Sequence, residues 1–447
     1  MDGVKIAVIG AGSAVFSISF IRDLCLTPSL QGSTVYLVDI NEERLRAVYS
    51  LAKRFLDEMG VKYGIEKTIN RREALRDADY VVNTALAAGH DKLRLGWKLA
   101  ENLGYRFGGS LHIMHDEAFW INFYQYRLFE SIIMDMLDLC PEAWYIQLAN
   151  PVLAGITLLA RKYPEAKIVG LCHGFLGVYH LADVLGLDPS KLKYEITGVN
   201  HFVWLTTFIH DGEDAYPLLD EWVENRAREY WCRAPPSDGL GPKAIDLYGR
   251  FGLMPIGDTC TPGGGSWPWW YHTSREVEER WRENPSGWWK SYFRHLEQRL
   301  KTIFRVAEDY TVRVTSIFKP VKSREVILPL IEALATGEER ILHVNVPNKG
   351  GLVPGIPVDF EVEIPAIVGA NSIKGIQTRG LPRKILAVLL RDRVAPVETE
   401  LEAYENRDKE ALLNLVLMDP WTRNEDQART LIDKILGINP EMKVYYR

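Results

Sequence analysis

The segment VKIAVIGAGS, residues 4–13, joins a short run of β-branched residues to a turn that contains two glycines. After this turn the apolar spacing predicts a helix over residues 13–26. A second strand is predicted over residues 35–39 (VYLVD), and a helix over 42–59 follows it, with Asn41 as the N-cap. A strand, a glycine turn, a helix and a strand ending on an acid predict the first βαβ unit of a dinucleotide-binding fold.

The chemistry of a bound dinucleotide accounts for the conspicuous residues of this unit. Gly10 permits the tight turn, Gly12 lets the backbone approach a pyrophosphate, and Ser13 opens the helix whose free N–H groups attract the anion. Asp39 follows Gly12 by 27 residues and can accept hydrogen bonds from ribose hydroxyls, which favours NAD over NADP. Val15 replaces the third glycine of the usual GxGxxG pattern, so an ordinary α/β turn that needs two glycines is the alternative.

Polar residues stand where further predicted strands end. These strands cover residues 78–84, 143–148 and 167–171. Ligands of a doubly wound sheet bind at the carboxyl ends of its strands. We therefore expect Asn83, Asn150 and Cys172 to lie near one cleft.

The alternation of strands and helices predicts an α/β protein. A Rossmann-like, doubly wound parallel sheet is expected at residues 1–190, followed by an α+β domain at residues 191–447, as in lactate and malate dehydrogenases. In the second half, strands are predicted over residues 341–346 and 358–364, and helices over residues 384–404 and 425–436.

Composition disfavours several classes of function. The chain has 447 residues and a net charge of −6, from 53 basic and 59 acidic side chains, which disfavours nucleic acid as a partner. No apolar run approaches the roughly 20 residues of a membrane span, and the N-terminus lacks a secretory signal pattern. These two absences disfavour a membrane as a partner. The five cysteines are an odd number without CxxC spacing, which predicts free thiols and a cytoplasmic protein.

Cys172 and His201 each follow an extended run, the second of them over residues 194–199. A thiolate and an imidazole delivered in this way can form an open metal site that substrate or water completes, because a structural zinc site needs four protein ligands. The alternative is that Cys172 is a core thiol beside a turn.

Five segments of the chain together resemble a known family, and the combination is specific where each segment alone is not. They are Gly10-Ala11-Gly12-Ser13, Ala149-Asn150-Pro151, Cys172-His173-Gly174-Phe175, Gly198-Val199-Asn200-His201 and Asn345-Val346-Pro347-Asn348-Lys349-Gly350. In this order they are similar to glycoside hydrolase family 4, the NAD- and divalent-metal-dependent glycosidases, over essentially the whole chain. The segment that begins at Cys172 resembles the α-glucuronidase group, with α-glucosidases as the nearest neighbours.

The resemblance implies that the enzyme binds NAD and Mn²⁺, or another divalent metal such as Co²⁺ or Ni²⁺, with Cys172 and His201 as metal ligands. It also implies hydrolysis by a redox route. NAD⁺ takes a hydride from C3 of the sugar, a base removes the C2 proton while the metal stabilises the enolate, and the aglycone is eliminated. Water then adds at C1 and NADH returns the hydride, so NAD is regenerated in each turnover.

Particular residues match the family's functional positions. Asp116 corresponds to the acid that protonates the leaving group, although a charge at a helix N-terminus is an equally good interpretation. Asp258 corresponds to the base, with a turn-forming aspartate as the alternative. Thr259 follows it where the α-glucosidases carry an arginine, which is consistent with a changed substrate. Other expected contacts are Asn83 to the cofactor and, to the substrate, Asn150, His173 and Asn200.

The implied substrate is a small glycoside with a carboxylate at C6. Such a group requires an Arg, a Lys or several N–H donors, and the candidates are the glycines at 263–265, Lys349 and Arg379. Six of the 13 tryptophans fall within residues 267–289, where a second core or a subunit interface is favoured over a sugar platform. We expect a homodimer or a homotetramer.

Other functions remain open at this point. An α-glucosidase or an α-galacturonidase of the same family fits almost as well. A NAD-dependent 2-hydroxyacid dehydrogenase would share the N-terminal domain, but it needs a His–Asp pair and a carboxylate-binding Arg. A non-catalytic NAD-binding regulator would have no use for Cys172.

Overall fold

The computed structural model describes residues 3–13, 16–106 and 118–447. Within these ranges the strands are β1 (Lys5–Ile9), β2 (Thr34–Val38), β3 (Gly64–Thr68), β4 (Tyr80–Asn83), β5 (Trp144–Gln147), β6 (Lys167–Gly170), β7 (Leu192–Val199), β8 (Phe202–His210), β9 (Glu213–Asp214), β10 (Pro255–Ile256), β11 (Arg340–Pro347), β12 (Glu361–Gly369) and β13 (Ser372–Gly375).

The helices surround these strands. They are α1 (Ser17–Cys25), α2 (Glu42–Met59), α3 (Arg71–Leu75), α4 (Gly89–Asn102), α5 (Phe119–Leu139), α6 (Val152–Lys162), α7 (Leu176–Leu185), α8 (Tyr216–Asn225), α9 (Ala227–Arg233), α10 (Pro242–Phe251), α11 (Arg275–Arg280), α12 (Pro285–Glu308), α13 (Val314–Ile317), α14 (Ile327–Thr336), α15 (Arg383–Leu389), α16 (Ala395–Asn406), α17 (Lys409–Leu417), α18 (Glu425–Ile438) and α19 (Pro440–Tyr445).

The first half of the chain forms a parallel sheet in the order β3-β2-β1-β4-β5-β6. This is the strand order of a Rossmann sheet, with the crevice at the switch point between β1 and β4. The predicted Rossmann-like fold is therefore confirmed. The edge strand β3 was not predicted, because only Ile65 of its five residues is buried and the sequence shows no apolar alternation.

The second half of the chain extends the same sheet with antiparallel strands. From β6 the order continues as β11-β12-β7-β8-β10, and β13 and β9 pair with β12 and β8. A single backbone pair, Asn345 with Gly170, joins β11 to β6. The two predicted domains thus contribute to one sheet, and their division between residues 190 and 191 stays a prediction.

The predicted elements of the second half are present, with one interruption. The strands predicted over 341–346 and 358–364 correspond to β11 and β12, although β12 begins later, at Glu361. The helix predicted over 384–404 is broken by a π-helical turn, Leu390–Val394, between α15 and α16. This turn buries Asp392 and Arg393.

The tryptophan-rich segment contributes mainly to packing. Trp267 is fully buried and lies edge-on to Phe202, with ring centroids 4.7 Å apart. Trp289 packs edge-on against Trp97 of α4 at 5.2 Å. These contacts support the interpretation as a second core. Across the ranges that the structure describes, no helix combines the length and apolarity needed to cross a membrane.

Candidate active site

The predicted glycine turn lies at the carboxyl end of β1. Gly10 has φ = +84°, and both Gly10 and Ala11 donate their N–H groups to the Val38 carbonyl of β2 at 2.9 Å. The N–H of Gly12 donates to Asp39 Oδ2 at 2.7 Å. A Cβ on Gly12 would lie 2.8 Å from the same oxygen, so this position accepts only glycine without a rearrangement.

Asp39 therefore also holds the turn in place. Its Oδ1 accepts the N–H of Asn41 at 2.8 Å, while its Oδ2 accepts that of Gly12. Each carboxylate oxygen has a second lone pair, which leaves capacity for a ribose hydroxyl. Ser13 is half-buried and its N–H donates to the Gly10 carbonyl at 3.0 Å. These residues fit the adenosine and pyrophosphate of a dinucleotide.

Asn83, at the end of β4, is fully buried. Its Nδ2 donates to the Tyr145 hydroxyl at 2.8 Å, and its Oδ1 accepts the N–H of Ala85 at 3.1 Å. Ala85 in turn lies against Gly10, because a Cβ on Gly10 would lie 2.6 Å from Ala85 Cα. The Asn83 amide thus supports the loop beside the glycine turn, and direct contact with a cofactor stays a prediction.

Cys172 follows β6, as the sequence predicts, and it precedes α7. The N–H of Gly174 donates to Cys172 Sγ at 3.3 Å. The turn that carries Cys172 touches the loop after β10, since a Cβ on Gly257 would lie 2.6 Å from Gly174 Cα. Gly257 has φ = +58°, a conformation that favours glycine. This close approach of two backbones places Asp258 beside Cys172.

His201 occupies the two-residue turn between β7 and β8. Val199 pairs with Phe202, so Asn200 and His201 form the tip of the hairpin. His201 has φ = +57°, which is uncommon for a residue with a side chain. Thr259 fixes the neighbouring loop to this hairpin, because its hydroxyl accepts the N–H of Val203 at 2.8 Å and donates to the Ile256 carbonyl at 2.7 Å.

The structure brings three predicted site residues together. His201 Nε2 lies 3.8 Å from Asp258 Oδ2, and a hydrogen bond links the imidazole of His201 to the thiol of Cys172. Burial raises the pKa of Cys172 to about 11; the negative charge of Glu363 adds to this rise, and the hydrogen bond with His201 opposes it. The thiol is therefore protonated at neutral pH unless a cation replaces its proton.

The glycine-rich segment at 263–265 encloses Asp258. A Cβ on Gly263 would lie 2.6 Å from Asp258 Oδ1, and the Thr261 hydroxyl donates to that oxygen. The buried Arg393 donates from Nη2 to the Gly264 carbonyl at 2.9 Å. Arg393 belongs to the π-helical turn, so the unpredicted break between α15 and α16 supports the loop that carries Asp258.

The remaining predicted residues lie in different settings. Asn150 is half-buried, and its carbonyl accepts a hydrogen bond from Gln125 Nε2 at 2.6 Å. The His173 side chain is 51% exposed, with Nδ1 3.9 Å from Glu325 Oε1. Asn200 is fully buried, although it belongs to the hairpin tip. Asp116, the predicted acid, lies outside the described residues.

The donor set at this site suits a divalent transition metal with open coordination positions. Among the residues described, no three His, Cys, Asp or Glu side chains converge on a point that could hold a metal ion. Cys172 and His201 would thus supply two protein ligands, with the Asp258 carboxylate close by. A thiolate, an imidazole and oxygen ligands suit Mn²⁺, Co²⁺ or Ni²⁺, the thiolate being the soft partner.

Sequence reasoning missed two buried glutamates next to this site. Glu361 and Glu363 lie at the start of β12, both fully buried, and both accept hydrogen bonds from Asn200. The signal was present in the sequence EVEIPAIV at 361–368, where two acids alternate with apolar residues in a strand expected to be buried. Burying a carboxylate costs free energy unless it is compensated, so two glutamates in a buried strand indicate that they have a structural or functional role there.

Two family models match the chain. The model "Family 4 glycosyl hydrolase" covers residues 5–187, and "Family 4 glycosyl hydrolase C-terminal domain" covers residues 196–422. The chain is 26% identical to an alpha-galactosidase of Bacillus subtilis (strain 168), over 96% of this chain and 95% of that protein. It is 24% identical to an alpha-galacturonidase of Lachnoclostridium phytofermentans, over 98% of this chain and 96% of that protein.

Solved structures show the same fold. A 6-phospho-alpha-glucosidase from gut microorganisms, in complex with NAD and Mn²⁺, has a TM-score of 0.77 at 19% identity, covering 99% of each chain. A malate dehydrogenase from Cryptosporidium parvum has a TM-score of 0.51 at 14% identity, covering 90% of this chain and 99% of that one. The expected similarity to the malate dehydrogenase fold is confirmed. Since the two family models together span most of the sequence, the chain belongs to family 4 of the glycosyl hydrolases.

Proposed function

We propose that this glycosyl hydrolase is an NAD- and divalent-metal-dependent α-glucuronidase. The observation that carries the proposal is the meeting of Cys172, His201 and Asp258, with His201 Nε2 3.8 Å from Asp258 Oδ2. A thiol and an imidazole that can bind a cation, next to a carboxylate that can move a proton, supply the groups that deprotonation at C2 requires.

The cofactor side of the proposal rests on the glycine turn. The Gly10 and Gly12 backbone and the carboxylate of Asp39 fit a dinucleotide, and a similar structure contains both NAD and Mn²⁺. NAD would supply oxidation and later reduction at C3 of the sugar, and the metal would act as a Lewis acid. Asp39 holds the turn through Gly12, and free N–H groups at the start of helix α1 would attract the anion.

Asp258 is proposed as the base. The enclosing glycine segment and the Thr261 hydroxyl hold its carboxylate in place, and His201 lies on its other side. Proton transfer requires that the base be fixed within hydrogen-bond reach of the proton that it takes. Asp116 is proposed as the acid for the leaving group, on its position in the sequence alone.

The choice of a glucuronide rests on the segment that begins at Cys172 and on the loop after Asp258. Thr259 occupies the position of the arginine found in the compared α-glucosidases. Gly264 and Gly265 donate their N–H groups to the Thr261 and Pro262 carbonyls. The proposed donors for a C6 carboxylate are therefore Gly263 N–H, Lys349 and Arg379. An α-galacturonidase or an α-glucosidase is the alternative, since relatives of this chain are named for each of these activities.

The test is hydrolysis in D₂O. The protein is incubated with NAD⁺, Mn²⁺, a thiol reductant and an aryl α-glucuronide, and the released sugar is examined by NMR. Deuterium at C2 is expected, because the C2 proton leaves before the aglycone. Hydrolysis without C2 exchange, or hydrolysis indifferent to NAD⁺ and to a chelator, would overturn the mechanism. Aryl glycosides that differ only at C4 and C6 identify the sugar.

A NAD-dependent dehydrogenase is a second candidate that one observation favours. Enzymes of that class pair a histidine with an aspartate, and His201 and Asp258 form such a pair. Stoichiometric NADH release from a 2-hydroxy acid would support it. In the proposed glycosidase, by contrast, NAD is regenerated in each turnover and no net NADH accumulates.

The oligomeric state, the location and the partners of the protein are part of the same proposal. We expect a homodimer or homotetramer in the cytoplasm that acts on a small glycoside, without nucleic acid or membrane as partners. Light scattering coupled to size-exclusion chromatography gives the mass, and a monomeric mass would contradict the expected assembly.

A further inference from the structure

Two buried carboxylates lie directly behind the candidate metal site. Glu361 and Glu363 are two residues apart on β12, so their side chains share one face of the sheet. Both are fully buried. Burying a carboxylate costs free energy unless hydrogen bonds or charges compensate it, which makes two adjacent buried glutamates informative.

The two glutamates hold the turn that carries His201. The Asn200 N–H donates to Glu361 Oε2 at 3.1 Å, and Asn200 Nδ2 donates to Glu363 Oε2 at 3.2 Å. Asn200 is thus bound through both its backbone and its side chain. Because His201 is the next residue, with φ = +57°, these bonds hold the backbone of the turn from which its imidazole extends.

Asn345 of β11 binds the glutamates from the other side. With its amide oriented to donate to carboxylates, Asn345 Nδ2 lies 2.8 Å from Glu361 Oε1 and 3.2 Å from Glu363 Oε2. The sheet register places Glu363 opposite Asn345 on one side and opposite Gly198 of β7 on the other. β12 therefore connects the strand beside Cys172 with the hairpin of His201.

The hydrogen bonds just described run from amide N–H groups to the oxygens of Glu361 and Glu363, the pattern expected of ionised carboxylates. Glu363 pairs with Asn345, which in turn pairs with Gly170 at the end of β6, two residues before Cys172. A divalent cation with one thiolate brings a net positive charge into the site, and a nearby negative charge stabilises that arrangement.

We propose that Glu361 and Glu363 are positioning residues for a divalent cation at Cys172 and His201. They do not ligate it; they hold the Asn200-His201 turn and supply negative charge behind it. The inference rests on the proposed function, which places the cation there. Removing a residue that supports a metal ligand weakens metal affinity by about 10–100-fold, and we expect a loss of that size.

The experiment uses Co²⁺ alone as the probe, because a cobalt–thiolate bond gives a charge-transfer band in the near ultraviolet. Purified full-length protein is titrated with Co²⁺ as wild type and as the variants C172S, E363Q and E361Q. The control is E400Q, since Glu400 is also fully buried and accepts a hydrogen bond from an asparagine, Asn122, at 3.1 Å. Melting temperatures of the metal-free proteins are measured in parallel.

We expect E363Q and E361Q to reach the wild-type band only at about 10–100-fold higher Co²⁺, and E400Q to titrate like wild type. Wild-type titration curves for both site variants, or an equal weakening in E400Q, would overturn the inference. If E363Q does not fold, the Co²⁺ titration of E361Q alone tests the inference: a wild-type curve overturns it. A wild-type protein without the band, or a C172S variant that keeps it, would instead overturn the proposed metal site.

Discussion

Gly257 lies against the backbone of Gly174, so closely that a Cβ on Gly257 would stand 2.6 Å from Gly174 Cα. This contact joins the turn after β6 to the loop after β10, two segments more than eighty residues apart in the chain. It brings the carboxylate of Asp258 to the thiol of Cys172 and the imidazole of His201. The candidate active site depends on two glycines that take no part in its chemistry.

Replacing Gly257 with alanine should separate these groups. G252A is the matched control, because Gly252 also has a positive φ (+73°) but a Cβ there would meet only Lys384 Nζ, at 3.9 Å. G252A should cost about 1–2 kcal/mol of unfolding free energy from backbone strain alone. G257A should cost more and should also abolish Co²⁺ binding. Urea unfolding and the cobalt titration measure both effects, and equal behaviour of the two variants would contradict the expectation.

Replacing Cys172 with serine should remove metal binding and hydrolysis but leave NAD binding intact, because the glycine turn lies at a different strand. The control is C232S, since Cys232 is exposed and has no predicted role. Calorimetric titration with Mn²⁺ and with NAD⁺ separates the two sites. Activity retained in C172S would show that the ligand assignment is wrong.

The raised pKa of Cys172 predicts that metal binding depends on pH. Because this pKa is about 11, the thiol is protonated at neutral pH, and a cation that binds the thiolate must displace a proton. Rising pH removes the competing proton, so Mn²⁺ affinity should increase about tenfold per pH unit between about pH 7 and pH 8. Electron paramagnetic resonance of free Mn²⁺ measures this. If Mn²⁺ affinity does not change with pH and Mn²⁺ binding releases no proton, a thiolate ligand is excluded.

Replacing Gly12 with alanine should weaken NAD binding and leave the metal site unchanged. The added Cβ would lie 2.8 Å from Asp39 Oδ2 and would push the turn from its hydrogen bond with that carboxylate. G437A in α18 is the control, since among the described residues the new Cβ meets no heavy atom within 4 Å beyond its chain neighbours and its own helix backbone. NAD⁺ affinity is measured by fluorescence, together with the cobalt titration. Wild-type NAD⁺ affinity in G12A would place the cofactor elsewhere.

Replacing Asp258 with asparagine should abolish proton removal but keep both cofactors bound. Loss of a general base lowers the rate by about 10²–10⁴-fold. The rate of deuterium incorporation at C2 should fall by the same factor as the rate of hydrolysis. The control is D433N, because Asp433 is an exposed acid paired with Lys409. If D258N hydrolyses at the wild-type rate, another group is the base.

The sequence by itself determined the Rossmann half and the identity of the candidate ligands. Strand, glycine turn and helix are local patterns, since apolar periodicity and a positive φ at Gly10 depend on neighbouring residues. For the same reason the helix predicted over 42–59 coincides with α2 (Glu42–Met59). The π-helical turn Leu390–Val394 has no such local signal, and the sequence predicted one continuous helix there.

Only the tertiary structure decided how the site is assembled. The bonds from Asn200 to Glu361 and Glu363 span more than 160 residues, and they exist because β12 pairs with β7 in one particular register. A shift of one residue would turn both carboxylates to the opposite face of the sheet. Register and the packing of glycine backbones arise from contacts between distant segments, so the spacing of residues along the chain could not reveal them.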